Sequence, residues 1–238
     1  MAVPKVLLLG KEYVDVLLTV PYVTAGDTNL CETRETALGG VYNITPALEG
    51  EILYTIETSG QKDAYIVNDL QESERTAYVV DRTPSVTSFD DLQRYNAYDW
   101  VHIAYVDDFE GAEQLLSLNS PYSLDFCTTN NRLPYRDIID KAAIVFDSRE
   151  RKHLYSSLGT STFFVFHDEY GVEVVKNKNI LFNVSMTPIR GLKVNGAGDL
   201  FAGYFIKNNF NLDIMESAAA AMRQTTEHLQ KAQNGAQE

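Results

Sequence analysis

A short segment near the C-terminus combines the residue types needed to bind an anion and to remove a proton. It reads Gly196-Ala197-Gly198-Asp199 and stands directly before a helical pattern in which Phe201 and Phe205 share one face. Small residues let the first N–H groups of a helix converge on one point, where they lack partners and favour negative charge. Asp199 either interacts with the helix dipole or accepts a proton from a hydroxyl while those N–H groups stabilise a transferred phosphoryl group.

Polar residues of the N-terminal half suit recognition of a ligand rich in hydroxyl groups. Gly39-Gly40 places flexible backbone shortly before the side-chain amide of Asn43, and the carboxylate of Asp15 follows the first apolar run. Each hydroxyl of a ligand is both a donor and an acceptor, so a carboxylate, an amide and exposed backbone together can bind it. Ordinary turn chemistry is the alternative interpretation of these residues.

The elements that must position these residues change character near residue 98. Before that point the apolar stretches are short, interrupted and partly alternating, which is typical of half-buried strands. After it, buried strands are predicted at Val101–Tyr105, Tyr122–Phe126, Ala143–Phe146 and Thr162–Phe166. Helical periodicity is predicted at Asp108–Leu118, Pro134–Lys141, Arg149–Leu158, Asp199–Asn208 and Ile214–Lys231. This alternation predicts an α/β fold with a mostly parallel sheet and a site beyond the carboxyl ends of its strands.

Composition excludes several classes of partner. The chain has 238 residues, 20 Lys+Arg and 33 Asp+Glu, and a net charge of −13, which argues against binding to nucleic acid or to an anionic membrane surface. Its apolar runs are too short to span a bilayer, and its N-terminus is too short for a secretory leader, so we expect a cytoplasmic protein. Cys31 and Cys127 show no metal-ligand spacing with the four histidines. His102 lies in an apolar run and is interpreted as a core histidine.

Taken in order, these segments resemble the ribokinase (PfkB-type) family of sugar and nucleoside kinases over nearly the whole chain. The motifs that carry the resemblance are Gly10 with Asp15, Gly39-Gly40-Val41-Tyr42-Asn43, Asp147-Ser148-Arg149-Glu150 and Gly196-Ala197-Gly198-Asp199. The resemblance implies a three-layer α/β/α sandwich with a small β-sheet lid. The whole of residues 1–238 would form one domain, with lid strands at about 17–37 and 76–89. Because lids of this kind often pair, a homodimer through the lid is also expected.

The resemblance also implies roles for individual residues. Asp199 would be the general base, and Gly196, Ala197 and Gly198 would form the anion hole for the phosphoryl group. Asp15, Gly39, Gly40 and Asn43 would bind the acceptor. Asp147, Glu150 and Asn195 would organise the nucleotide and magnesium, mostly through water, with no direct protein ligand to the metal.

The activity implied is ATP- and Mg²⁺-dependent phosphorylation of a hydroxyl on a sugar or sugar-like small molecule. Departures from the family pattern leave an alternative: Lys193-Val194 stand where the family has Asp-Thr, Asp147 stands where it has Asn, and 238 residues is well short of about 300. That alternative is a sugar-binding or regulatory protein with impaired use of ATP. A nucleoside kinase, with Tyr13 or Tyr42 stacking on a base, is the second alternative.

Overall fold

The computed structural model describes residues 2–71, 74–81, 92–106, 109, 111–126, 130–158, 161–189 and 195–235. Part of the predicted lid, residues 82–89, lies outside this range. Cys127 and the pair Lys193-Val194 also lie outside it.

Within the described residues, ten strands form one sheet. They are β1 (Lys5–Val20), β2 (Thr33–Gly40), β3 (Leu53–Asp69), β4 (Glu74–Asp81), β5 (Trp100–Ile103), β6 (Tyr122–Asp125), β7 (Ile144–Ser148), β8 (Phe163–Asp168), β9 (Gly171–Lys176) and β10 (Asn179–Ser185). The strand order is β10-β9-β8-β7-β6-β5-β1-β3-β4, with β2 pairing on β1. Strands β3, β1, β5, β6, β7 and β8 are mutually parallel. The predicted mostly parallel central sheet is therefore confirmed.

The lid grows out of two unusually long strands. The first half of β1 pairs with β3 and β5, whereas its second half pairs with β3 and, antiparallel, with β2. The second half of β3 likewise pairs with β4, in antiparallel orientation. The sequence contains two separate apolar stretches here, Lys5–Leu9 and Val14–Val20. In the structure both belong to β1, with a register shift between Gly10 and Glu12. A bulge of this kind bends and twists a strand, so one strand can serve both the sheet and the lid.

Helices cover both faces of the sheet, which confirms the three layers. On one face α1 (Thr45–Leu48), α4 (Ala197–Asn209) and α5 (Ile214–Gly235) cover Val6 and Leu8. On the other, α2 (Leu92–Tyr95) and α3 (Arg136–Lys141) cover Leu7 and Leu9. Successive side chains of a strand point to opposite faces, so an apolar run without alternation indicates burial on both. None of the described helices combines the length and apolar composition needed to cross a bilayer.

Two connections predicted as α-helices are 3₁₀-helices instead. They run over Ala112–Ser117 and Arg149–Tyr155, where helices were predicted over Asp108–Leu118 and Arg149–Leu158. A 3₁₀-helix rises about 2.0 Å per residue against 1.5 Å for an α-helix, so it spans a short crossover with fewer residues. The C-terminal helices α4 and α5 occupy the predicted positions and extend a few residues beyond them.

Candidate active site

The N-terminus of α4 presents backbone N–H groups that have no intrahelical acceptor at the carboxyl edge of the sheet. Gly196 precedes the helix in the left-handed conformation (φ 72°) and caps it without a side-chain hydrogen bond. The first intrahelical bond shown there runs from Leu200 N to Gly196 O at 2.9 Å. The preceding N–H groups, including those of Ala197 and Gly198, therefore lack intrahelical acceptors and favour an anion.

Gly196 is also the point where α4 meets the N-terminal half of the site. A Cβ at this position would lie 2.6 Å from Asn43 Cγ, closer than real side chains approach. Asn43 lies in the 3₁₀-helix Val41–Ile44, directly after β2. The positive φ and the close approach both require glycine, and together they bring the Asn43 amide to the first turn of α4.

Asp199 receives hydrogen bonds from two neutral side chains. Asn43 Nδ2 donates to its Oδ2 at 3.1 Å. The Tyr105 hydroxyl lies 2.9 Å from Oδ1 and 3.0 Å from Oδ2, so it bridges the carboxylate. Asp199 is half-buried, so its carboxylate is held by these hydrogen bonds and is still partly exposed to the crevice.

Sequence reasoning missed Tyr105. The pattern placed it as the last residue of a strand, but β5 ends at Ile103, and Tyr105 has a φ of 60° that non-glycine residues rarely adopt. Its ring packs edge-on against Tyr13 of β1, with ring centroids 5.4 Å apart. A tyrosine after a buried strand carries no sequence signal for such a turn, because tyrosine is itself a common strand residue.

Asp15 lies on the inner face of the lid. It is 3% exposed and accepts a hydrogen bond at 3.0 Å from Asn195 Nδ2, which connects the lid to the segment before α4. Gly39, on the adjacent strand, leaves the space that this carboxylate fills, since a Cβ there would lie 2.1 Å from Asp15 Oδ2. At Gly40, with φ 65°, a Cβ would lie 2.3 Å from the carbonyl oxygen of Lys11.

These contacts gather most of the predicted site residues at one crevice. Asp15, Gly39, Gly40 and Asn43 from the first half of the chain face the segment 195–199 from the second half. In this geometry Asn195 contacts the lid carboxylate, which places it closer to the predicted acceptor site than its assignment to the nucleotide implied.

The environment of Asp147 differs from the prediction. Its side chain has 0% exposure, and Arg132 Nη2 and the Tyr155 hydroxyl donate to Oδ2 at 3.0 and 2.7 Å. Arg151 Nε and the Ser148 N–H donate to Oδ1 at 2.5 and 2.8 Å. Burial, followed by the negative charge of Asp147, raises the pKa of Tyr155 well above its usual value, so Tyr155 remains a donor. Both carboxylate oxygens of Asp147 are therefore buried and hydrogen-bonded within the protein, and its role in organising the nucleotide and magnesium stays a prediction.

Glu150 and His167 border the same edge of the sheet. Glu150 begins the crossover after β7 and is exposed. His167, near the end of β8, packs against Phe201 with ring centroids 4.5 Å apart and the rings tilted by 33°, and it lies beside Gly198. Burial lowers the pKa of His167 to about 4, so this imidazole is neutral at pH 7. His102 is the core histidine that was expected: it is fully buried, and its Nδ1 lies 2.8 Å from Ser123 Oγ.

Comparison with known proteins identifies the fold. No protein-family model matches the sequence, and no curated protein matches it. Solved structures do match. A nucleoside kinase from Burkholderia thailandensis in complex with inosine aligns over 92% of this chain and 89% of its own, with a TM-score of 0.67 and 13% identity. The chain has the ribokinase fold.

Two ribokinases show the same relationship. The Arabidopsis thaliana ribokinase complexed with ribose and ATP has a TM-score of 0.61 at 14% identity, over 93% of this chain and 92% of its own. The Cryptococcus neoformans ribokinase in complex with ADP has a TM-score of 0.63 at 12% identity, over 92% and 91%. The resemblance stated from the sequence motifs is confirmed at the level of the fold, and the fold alone does not determine a substrate.

Proposed function

We propose that this protein is a kinase that transfers the γ-phosphoryl group of ATP to a hydroxyl of a sugar or sugar-like small molecule. The observation that carries the proposal is the position of Asp199. A half-buried carboxylate lies in the first turn of α4, beside backbone donors suited to phosphate and opposite the polar face of a lid. General base, anion hole and acceptor site are thereby adjacent, as transfer to a hydroxyl requires.

Each element has a distinct task in this proposal. Asp15, with Gly39 and Gly40 giving it room, binds acceptor hydroxyls beneath the lid. Asp199 accepts the proton of the attacking hydroxyl, so the oxygen becomes a better nucleophile as its bond to phosphorus forms. The backbone N–H groups of the segment 196–198 stabilise the negative charge that the transferred group carries.

The described residues fit ATP and Mg²⁺ in part. The start of α4 is built for a phosphate group, and ribokinases of the same fold are known with ATP and with ADP. The described chain contains no cluster of three or more His, Cys, Asp or Glu that could hold a metal by itself. When bound, Mg²⁺ would keep several of its waters and neutralise phosphate charge. Glu150, exposed at the end of β7, remains the proposed water-mediated contact.

The test is ADP release with ATP and Mg²⁺ over a panel of sugars, sugar phosphates and nucleosides. We expect acceptor-dependent turnover that Asp199→Asn lowers by about 10²–10⁴-fold, the usual contribution of a general base. Asp140→Asn, an exposed carboxylate of α3, is the matched control and should retain full activity. Unchanged turnover in Asp199→Asn would show that the assigned mechanism is wrong.

Two alternatives make different predictions in the same panel. A non-catalytic sugar-binding or regulatory protein would show no turnover, yet a sugar would raise its melting temperature whether or not ATP is present. A nucleoside kinase would prefer nucleosides over free sugars. The position of Tyr13 beside Tyr105 and the acceptor side of the site is the observation that favours this second alternative.

We also propose that the protein forms a homodimer through the lid. The outer face of the lid exposes Leu38, Tyr65 and Tyr78 at 54%, 45% and 61%. Tyr65 and Tyr78 are register partners, so the apolar surface continues across strands β3 and β4. A second copy of the same surface would cover it. Static light scattering should give twice the mass of the chain, and a monomer at high concentration would exclude the dimer.

A further inference from the structure

We infer that Tyr105 is a positioning residue for the base: its hydroxyl fixes the carboxylate of Asp199 and, with Asn43, keeps it in the orientation that accepts a proton. The inference deepens the proposed function and rests on it for its kinetic consequences. Its other consequence, a change in the pKa of the Asp199 carboxyl group when Tyr105 is altered, does not depend on that function.

The geometry of the contact carries the first step. The Tyr105 hydroxyl is nearly equidistant from the two oxygens of Asp199, at 2.9 and 3.0 Å, and Asn43 Nδ2 adds a bond to Oδ2 at 3.1 Å. Donors on both oxygens restrict rotation of the carboxylate about its terminal torsion, which is otherwise broad. Tyr105 and Asn43 lie 94 and 156 positions from Asp199 in the sequence, so the tertiary fold alone creates this arrangement.

The backbone of Tyr105 carries the second step. A φ of 60° at a residue with a large side chain costs free energy, and such residues persist only where their surroundings determine them. Here the conformation directs the ring away from the line of β5 and onto Tyr13, with the hydroxyl on Asp199. We therefore take the contact with Asp199 as the reason why Tyr105 adopts this unfavourable conformation.

The chemistry of the donors carries the third step. The phenol of Tyr105 and the amide of Asn43 are neutral donors, so these two groups stabilise the carboxylate without adding a positive charge. A lysine or arginine in the same place would add one. Hydrogen bonds to the charged form of a carboxyl group lower its pKa. The Tyr105 contact therefore favours the charged form of the carboxyl group, which is the form that accepts a proton.

The variant Tyr105→Phe leaves the other titratable groups around the crevice in the chain. Those described include Lys11, Glu12, Tyr13, Asp15, Tyr42, Lys62 and His167. Because all of them are retained in Tyr105→Phe, which removes one hydroxyl, a difference from the unmodified protein reports the contact with Asp199.

The experiment measures titration and kinetics on the same variants. Carbon NMR of protein labelled at aspartate carboxyl groups follows Asp199, whose signal is the one that disappears in Asp199→Asn. In Tyr105→Phe we expect the pKa of Asp199 to rise by about one unit, because the carboxylate has lost a donor. We expect kcat to fall about tenfold with the acceptor KM nearly unchanged, as for a residue that acts through the base.

The matched control is Tyr204→Phe, which removes a hydroxyl that lies 3.0 Å from His228 Nδ1 and contacts no residue of the site. It should leave the pKa of Asp199 and kcat unchanged. An unchanged pKa of Asp199 in Tyr105→Phe would overturn the inference, and so would a rise in kcat, which would mean that Tyr105 blocks the base. Absence of any turnover in the unmodified protein, with the pKa shift present, would contradict the proposed function and leave the positioning role supported.

Discussion

Asp199 and Asp147 both lie at the carboxyl edge of the sheet, yet their surroundings differ in kind. Asp199 is half-buried and contacts a tyrosine hydroxyl and an asparagine amide. Asp147 is fully buried and contacts two arginines as well as Tyr155. The two partners described for Asp199 are neutral donors, whereas two of those described for Asp147 are positively charged.

From this difference we propose a chemical role for Asp199 and a structural role for Asp147. A base needs a negative charge that substrate can reach, and charged partners around it would lower its basicity. A carboxylate sealed from water needs charged partners, because an unpaired charge in the interior is strongly unfavourable. The residue type, aspartate in both cases, does not distinguish the two proposed roles, whereas the hydrogen-bond partners do.

Arg132→Met tests the surroundings of Asp147, and its loss of stability is the largest effect that we expect. Arg132 has 0% side-chain exposure, and its removal leaves a buried carboxylate with fewer compensating donors. We expect unfolding to become easier by about 3 kcal/mol, at the lower end for a broken buried pair because Arg151 still contacts Asp147. Urea denaturation measures this change, and activity per folded molecule should change far less.

The matched control for that variant is Arg94→Met. Arg94 contacts Glu57 at 2.6 Å, but the two side chains are 55% and 29% exposed. Exposed pairs contribute about 0–1 kcal/mol, so Arg94→Met should be nearly neutral. Equal destabilisation by the two variants would mean that burial of the Asp147 cluster does not determine its role.

Gly196→Ala tests the surroundings of Asp199. We expect it to lower stability less than Arg132→Met does and to lower activity more. The new Cβ would have to push Asn43 away from Asp199, and the left-handed backbone adds strain of about 1–2 kcal/mol. We expect kcat to fall at least about tenfold, because a misplacement of about 1 Å can cost up to about 10²-fold.

Gly50→Ala separates strain from displacement. Gly50 has a φ of 80°, and a Cβ there meets nothing within 4 Å. Gly50→Ala should lose only the stability due to backbone strain, which is less than Gly196→Ala loses, and should keep its activity. Thermal unfolding and turnover of the two variants side by side measure both effects. If Gly50→Ala lowered kcat as much as Gly196→Ala, the approach of Gly196 to Asn43 would have no catalytic importance.

Part of the lid was readable from the sequence, and part was missed for a physical reason. The stretch Gln61–Asp69 alternates between buried and more exposed residues, as a strand with one covered face does. Polar residues such as Gln61, Lys62 and Asp63 hide this alternation, because Lys62 is buried despite its charge. Hydrophobic periodicity could not reveal a strand whose buried positions are partly polar.

The layers of the fold could be predicted from the sequence alone, because apolar runs without alternation require burial on both faces of a sheet. The segment 196–199 likewise predicted an acid and a candidate anion site at the start of a helix. The different surroundings of Asp199 and Asp147 could be seen only in the tertiary structure. Arg132 reaches Asp147 from another loop, and Tyr105 reaches Asp199 across 94 positions through an unusual backbone angle. Such long-range pairings leave no periodic signal, because they depend on how the strand ends converge in space.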